Sequence, residues 1–233
     1  MTFRLLQTGP IVYVVDDDIP VLASLELLFR SAGLKVQPLA SAQAFLSHLR
    51  LNGPGCLVLD VSLPDLNGLD LQERIAAEGS QMPIIFITGH GNIPMTVKAM
   101  KAGAGEFLAK PFNGDTILGA VRNAIEFSTA TVDSRAERDA LSSCFSSLTP
   151  RERAVMELVV LGLLNKQVGN LLGISEITVN AHRGRMMQKM RAQSLADVVR
   201  IATKLHLPSP PLELGTLSLG VTRIAARQAA PCR

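Results

Sequence analysis

Between residue 11 and about residue 127 the chain alternates short apolar runs with longer amphipathic segments, and this alternation restricts the fold more than any other feature. The apolar runs at 11–15, 35–39, 56–60, 83–88 and 106–109 predict five strands. The segments between them carry apolar residues at helical spacing, as in Val21, Leu22, Leu25, Leu28 and Phe29, and predict five helices. Strands that are apolar on both faces and joined by crossover helices form a parallel sheet covered on both sides. In such open sheets, ligands gather beyond the carboxyl ends of the strands.

Composition excludes several alternatives. An apolar fraction of 47% over 233 residues is enough to fill a core, and the length suits two ordinary domains. No apolar run approaches the roughly 20 residues that span a bilayer, and the first residues lack a signal-type pattern, so a cytoplasmic location without a membrane partner is expected. Cys56, Cys144 and Cys232 stand in unrelated contexts and read as reduced thiols. The net charge of +3 hides an asymmetry: residues 1–127 hold nine Lys/Arg against twelve Asp/Glu, whereas residues 148–206 hold nine against four. The basic second part suggests a polyanionic partner.

At the carboxyl ends of the predicted strands stand Asp16, Asp17 and Asp18, then Asp60, Thr88 and Lys110. Adjacent carboxylates repel one another unless a cation compensates. Acids contributed by two strands suit a hard divalent ion such as Mg²⁺, and a nearby hydroxyl and ammonium suit a phosphoryl group bound to it. Singly, each of these residues reads more simply as a helix cap or turn former.

The stretches "VVDDD", "LVLDVSLPDLNGLDL" and "IIFITGHGNIPMTVKAMKAGAGEFLAKPF", in that order, resemble the receiver domain of two-component response regulators. The resemblance implies a flavodoxin-like α/β fold with strand order 2-1-3-4-5. It implies Asp60 as phosphoacceptor, with Mg²⁺ held by Asp16, Asp17, Asp60 and the backbone carbonyl of Ser62. Lys110 would pair with the phosphoryl oxygens, Thr88 would hydrogen-bond to one of them, and Thr88 and Phe107 would form the switch. Ser62 and His90 would modulate hydrolysis of the acyl phosphate, and Leu63 replaces the methionine of many relatives. Gly68 reads as a turn glycine, and the bond between Lys110 and Pro111 as a candidate cis peptide. Phe107 has a plain alternative role as core filling.

Residues 128–147 are polar and mixed in charge and read as a linker, in part helical. Thr149, Pro150 and Glu152 then form a capping box with Pro at the first helical position. A second helix is expected over 165–172, stopped by Gly173, and a third capped by Ser175 and running to about residue 190. Two helices joined by "LGIS" make a helix-turn-helix, whose second member can enter a major groove.

The stretches "LTPRERAVMELV", "NKQV", "LLGISEITVNAHRGRMMQKM" and "SLADVVRIATKL" resemble the LuxR-type DNA-binding domain over residues 148–206, and the whole chain resembles a FixJ/NarL-type transcriptional regulator. Val179, Met186 and Met190 fall on the inward face. Thr178, Asn180, Arg183, Arg185 and Lys189 are expected outward, with Lys166 on the supporting helix. Asn180 and Arg183 are candidates for base edges, while Lys166, Arg185 and Lys189 suit phosphates. His182 reads equally as a phosphate contact or a brace for the helix. Gly184 falls where relatives often direct a side chain toward DNA.

The expected domains are therefore a receiver over 1–127, a linker over 128–147, a helix-turn-helix domain over 148–206, and a poorly ordered tail over 207–233. The implied partners are a sensor histidine kinase, promoter DNA, a second copy of the chain after phosphorylation, and RNA polymerase, with activation as the output. Dimer contacts are expected from the face formed by the fourth helix, fifth strand and fifth helix of the receiver. A further set is expected from Val198, Val199, Ala202 and Leu205 of the last helix. A phosphatase of the haloacid dehalogenase type is the rival from the enzymes. It is disfavoured because Pro20 stands where its motif needs Thr or Val, and no later acid pair supplies its remaining ligands. A module that recruits a protein through its helices is the third reading, separated from the DNA binder by salt dependence.

Overall fold

The computed structural model describes residues 9–47, 53–89 and 93–207. His90 and residues 208–233, for which a rate-modulating role and a loose tail were expected, lie outside them. The chain divides into two compact units between Ala136 and Glu137.

In the first unit, β1 (Ile11–Val15), β2 (Lys35–Leu39), β3 (Gly55–Asp60), β4 (Ile84–Thr88) and β5 (Glu106–Ala109) form one parallel sheet in the order β2-β1-β3-β4-β5. The connections are α1 (Ile19–Ser31), α2 (Ala42–Leu46), α3 (Gly68–Ala77) and α4 (Ile93–Lys101), and α5 (Gly114–Ser146) follows β5. Because successive side chains of a strand point to opposite faces, the sheet builds two cores. Tyr13, Val15, Leu57, Leu59 and Phe86 pack with Phe45, Leu71, Ile75 and Ala99 on one face. Val12, Val14, Val58, Ile85 and Ile87 pack with Leu22, Leu25, Phe29, Ile117 and Val121 on the other. Every residue of β3 and β4 is buried, which explains why these runs lack polar alternation. The edge strand β2 alternates exposed with half-buried positions up to the buried Leu39 and tolerates Pro38.

The register aligns the strand ends. Val15 pairs with Leu59, Asp60 with Ile87, and Thr88 with Ala109, so the residues that follow β1 and end β3, β4 and β5 share one edge.

The segment expected as a linker is helical: α5 continues without interruption to Ser146. No Gly or Pro occurs from Ala120 to Thr149 to break it. The hydroxyls of Thr129, Thr131 and Ser143, which made the segment look loop-like, donate to the carbonyls four residues earlier.

The second unit contains α6 (Pro150–Val160), α7 (Asn165–Leu172), α8 (Glu176–Lys189) and α9 (Leu195–Lys204). The α6 capping box is present, with the Glu152 N–H donating to Thr149 Oγ1 and the Thr149 N–H donating to Glu152 Oε2. Gly173 ends α7 in the left-handed conformation at φ 66°, where a Cβ would be strained, and Ser175 caps α8. Val155, Val159, Val168 and Val179 form one core, and Leu148, Met156, Met186, Met190, Val198 and Ala202 another.

That second core corrects the expected dimer surface on the last helix. Val198 and Ala202 are buried inside the unit against the methionines, and Leu205 is half-buried. Of the four residues named, Val199 alone is exposed.

Lys189 also departs from expectation. Its ammonium lies 2.7 Å from Glu152 Oε2 and 3.2 Å from the Ser147 carbonyl oxygen, turned toward the start of α6. The Lys189 hydrogen bond, followed by the Thr149 N–H, holds the Glu152 carboxyl below the usual range. A depressed carboxyl stabilises the fold above its unfolded value of about 4.3, and that contribution is lost as pH falls through the lower folded value. Denaturant melting of wild type is thus expected to weaken below about pH 4, whereas Glu152→Gln lacks that component and costs about 1–2 kcal/mol at neutral pH. An acid profile of the variant identical to wild type would contradict the assignment.

Candidate functional site

Asp16 follows β1 and is fully buried. Its Oδ2 accepts from Lys110 Nζ at 2.6 Å, and its Oδ1 from the Asp18 N–H at 3.0 Å. Asp18 turns away to cap α1, accepting from the Val21 N–H at 3.3 Å, so the third acid of the run has a structural role. Asp17 is exposed beside the pocket. Asp60 ends β3 and is nearly buried, and carboxylate oxygens of Asp16, Asp17 and Asp60 lie within 4.8 Å of one another.

The electrostatics leave one oxygen uncommitted. Asp60 Oδ1 is buried, 3.7 Å from Lys110 Nζ and without a hydrogen-bond partner. Burial raises the Asp60 carboxyl above its ordinary range; Lys110 opposes this, Asp16 adds to it, and the N–H groups of Ser62 and Val61 oppose it. A single ammonium faces three carboxylates, a net deficit of two charges, which a divalent cation would neutralise. Two oxygens on one Mg²⁺ stand at most about 4.2 Å apart. Oxygens gathered within 4.8 Å are close to the span that suits such an ion, and the orphaned Asp60 oxygen is the natural first ligand.

Local structure sets these positions. The Lys110 N–H donates to the Thr88 carbonyl at 2.7 Å, tying the end of β5 to β4, and the peptide between Lys110 and Pro111 is cis. Thr88 is buried at that edge, and Phe107 is half-buried, its ring tilted against Phe86 at 6.2 Å. The Gly68 N–H donates to the Val61 carbonyl at 2.9 Å. A Cβ on Gly68 would stand 2.7 Å from the Asp60 carbonyl oxygen, so only glycine lets α3 start this close to the acid. The side chain of Ser62 is exposed.

Two positioning residues escape the sequence patterns. Asp65 accepts from the N–H groups of Gln43 at 3.0 Å and Ala42 at 3.4 Å, fastening the loop after Asp60 to α2. Buried Gln72 of α3 donates to the Ala99 and Ala102 carbonyls at the end of α4. In the sequence, Asp65 looks like an ordinary turn residue and Gln72 like an ordinary helix surface.

In the second unit, Val179 and Met186 bury one side of α8. Asn180 is exposed, and its Oδ1 accepts from Asn165 Nδ2 at 2.6 Å. Arg183 is half-buried and donates to Asn165 Oδ1 at 3.1 Å. Thr178 is half-buried, its hydroxyl 2.8 Å from that of Ser175, and the buried Nδ1 of half-buried His182 lacks a hydrogen-bond partner. Lys166 and Arg185 are exposed and form no salt bridge with a described carboxylate. Gly184 is exposed with open space beside it.

An acidic pocket with one lysine at the carboxyl edge of a 2-1-3-4-5 parallel sheet, followed by a helix-turn-helix unit, defines a signal receiver joined to a DNA-binding output. Residues 12–122 match the family described as "Response regulator receiver domain", and residues 146–202 match "Bacterial regulatory proteins, luxR family". Nodulation protein W of Bradyrhizobium diazoefficiens is 50% identical over 86% of this chain and 88% of its own length. Transcriptional regulatory protein FixJ of the same organism is 41% identical over 83% of this chain and 94% of its own. The solved structure of response regulator StyR is 46% identical with a TM-score of 0.78, covering 84% of this chain and 98% of that one. The chain belongs to the two-component response regulators of the FixJ/NarL type, transcriptional regulators that are not enzymes. The cluster of Asp16, Asp17 and Asp60 is of the kind receivers use for Mg²⁺, and no helix among the described residues is long and apolar enough to cross a membrane.

Because folding forces the Asp60 charge into a crowded pocket, millimolar Mg²⁺ is expected to raise the thermal midpoint of the wild type by a few degrees. Asp60→Asn should be more stable than wild type without Mg²⁺, by about 1 kcal/mol, and respond less to the ion. Equal shifts in both proteins by differential scanning calorimetry would rule out Asp60 as a ligand.

Proposed function

We propose that a sensor histidine kinase phosphorylates this protein on Asp60, and that the phosphorylated chain dimerises and binds promoter DNA through α8. The observation that carries the reading is the pairing of Lys110 with Asp16 beside the uncommitted oxygen of Asp60. Lys110 is held ready by one acid while the other keeps a free acceptor.

In the transfer, an Asp60 oxygen attacks the phosphorus of a phosphohistidine. The new P–O bond forms as the P–N bond breaks, and the imidazole leaves with the electron pair. Mg²⁺, held by Asp16, Asp17, Asp60 and the Ser62 carbonyl, would offset charge on the phosphoryl oxygens. Lys110 moves its ammonium the short distance from Asp16 toward the phosphoryl group, and the Thr88 hydroxyl donates to a second phosphoryl oxygen. Thr88 and Phe107 form the switch, and Phe107, whose ring is tilted against Phe86 at 6.2 Å, turns on phosphorylation. The dimer face follows α4, β5 and α5, where Val97 and Met100 of α4 are exposed apolar groups.

At the DNA, Lys166 and Arg185 suit phosphates, with His182 and Thr178 beside them. Asn180 suits adenine and Arg183 guanine once Asn165 releases them. Lys189 keeps its bond to Glu152 and drops from the phosphate contacts. The receiver is assigned to 1–127 and the DNA-binding domain to 148–206, with the second half of α5 as a helical connector. Activation through RNA polymerase is the output drawn from the resemblance to FixJ/NarL regulators.

Acetyl phosphate with Mg²⁺ should label the wild type at a single acid-stable, base-labile site, and Asp60→Asn should abolish the label. A label that persists in the variant assigns the acceptor elsewhere.

On DNA, Lys166→Ala should weaken binding to all sequences and flatten the salt dependence by about one unit. Arg183→Ala should relax preference at one base pair. Fluorescence anisotropy over a range of salt separates the two, and the reverse pattern would exchange their roles.

A further inference from the structure

Ile177 is the most exposed large apolar side chain among the described residues, at 82%. It stands in the first turn of α8, two residues after the capping Ser175. At about 100° per residue it lies roughly 160° around the helix from the buried Val179 and roughly 180° from Met186, on the side of exposed Ala181 and Gly184. A branched aliphatic group so placed contributes no packing to the unit, and the fold leaves it where a groove-entering helix leads.

The neighbouring polar groups narrow what could cover it. Asn180 has its acceptor oxygen committed to Asn165, and Arg183 is bonded to the same residue, so the two expected base readers are held back against α7. Lys166 on α7 and Arg185 on α8 remain exposed without a carboxylate partner among the described residues. An apolar tip ahead of cations fits a partner that is polyanionic at its rim and presents an apolar group at its floor. Among the base edges of the major groove, that group is the 5-methyl of thymine.

Resting on the reading that α8 enters the major groove, we propose that Ile177 packs against a thymine methyl and thereby sets a thymine preference at one position of the operator. The contact needs no rearrangement, since the side chain is already clear of the protein surface. Asn180 and Arg183, by contrast, must first leave Asn165.

The test uses the full-length protein with acetyl phosphate and Mg²⁺. Duplexes are selected from a random pool, and affinity is measured for the recovered duplex with each thymine replaced in turn by deoxyuridine, which removes the methyl alone. At one thymine the wild type should lose about fourfold, the worth of one apolar carbon buried. Ile177→Ala should bind the unmodified duplex as weakly as wild type binds that deoxyuridine duplex, with no further loss on substitution. Ile177→Val should keep most of the discrimination. Because the side chain is exposed, all three proteins should melt alike, which separates a lost contact from a lost fold. Equal responses of wild type and Ile177→Ala at every thymine, or a recovered motif without thymine, would overturn the inference while leaving DNA binding by α8 intact. Failure to enrich any duplex in a salt-sensitive manner would overturn the major-groove reading itself, and this inference with it.

Discussion

Carboxylates brought together at the end of a buried strand repel, and in this receiver the opposing attraction is supplied by Lys110, 2.6 Å from Asp16. The ammonium arrives from β5, on the far side of β3 and β4 from the strand it neutralises. The pair therefore ties the edge of the sheet together across its middle. It also leaves the pocket undercompensated, because one cation cannot satisfy three acids. That residual charge is what a divalent cation would offset, as in the acidic clusters receivers use for Mg²⁺.

The rest of the receiver holds this imbalance in place. Two cores clamp the sheet from both faces, and the buried runs of β3 and β4 give Asp60 and Thr88 backbones that cannot yield to the repulsion. Gly68 lets α3 begin against the Asp60 carbonyl, and Asp65 anchors the same loop to α2. Gln72 links α3 to the end of α4. The second unit is organised in a comparable way around Glu152, which closes the α6 cap and holds Lys189 at once.

Much of the receiver was legible because its signals are local. Apolar runs long enough to be strands sat between helical periods, and the order of acids, hydroxyl and lysine along the chain matched the order of strand ends. The helix-turn-helix was legible through Thr149, Gly173 and Ser175, whose capping chemistry acts within three or four residues. The segment after residue 128, expected as a linker in part helical, continues α5 as helix to Ser146 because no Gly or Pro interrupts it. The last helix was misread because its apolar stripe looks the same whether it meets a second chain or its own domain. The methionines of α6 and α8 took that stripe, leaving Val199 outside.

The sequence by itself determined the elements, their order, and the residue types gathered at one edge, since each depends on periodicity and capping over a few residues. Only the tertiary structure decided which charges meet. Lys110 finds Asp16 across 94 residues of chain and Lys189 finds Glu152 across 37, and no local pattern records either pairing. It also decided which groups are left over, the Asp60 oxygen in one unit and Ile177 in the other. A leftover group is defined by what its neighbours have already bound, and those neighbours are chosen by packing.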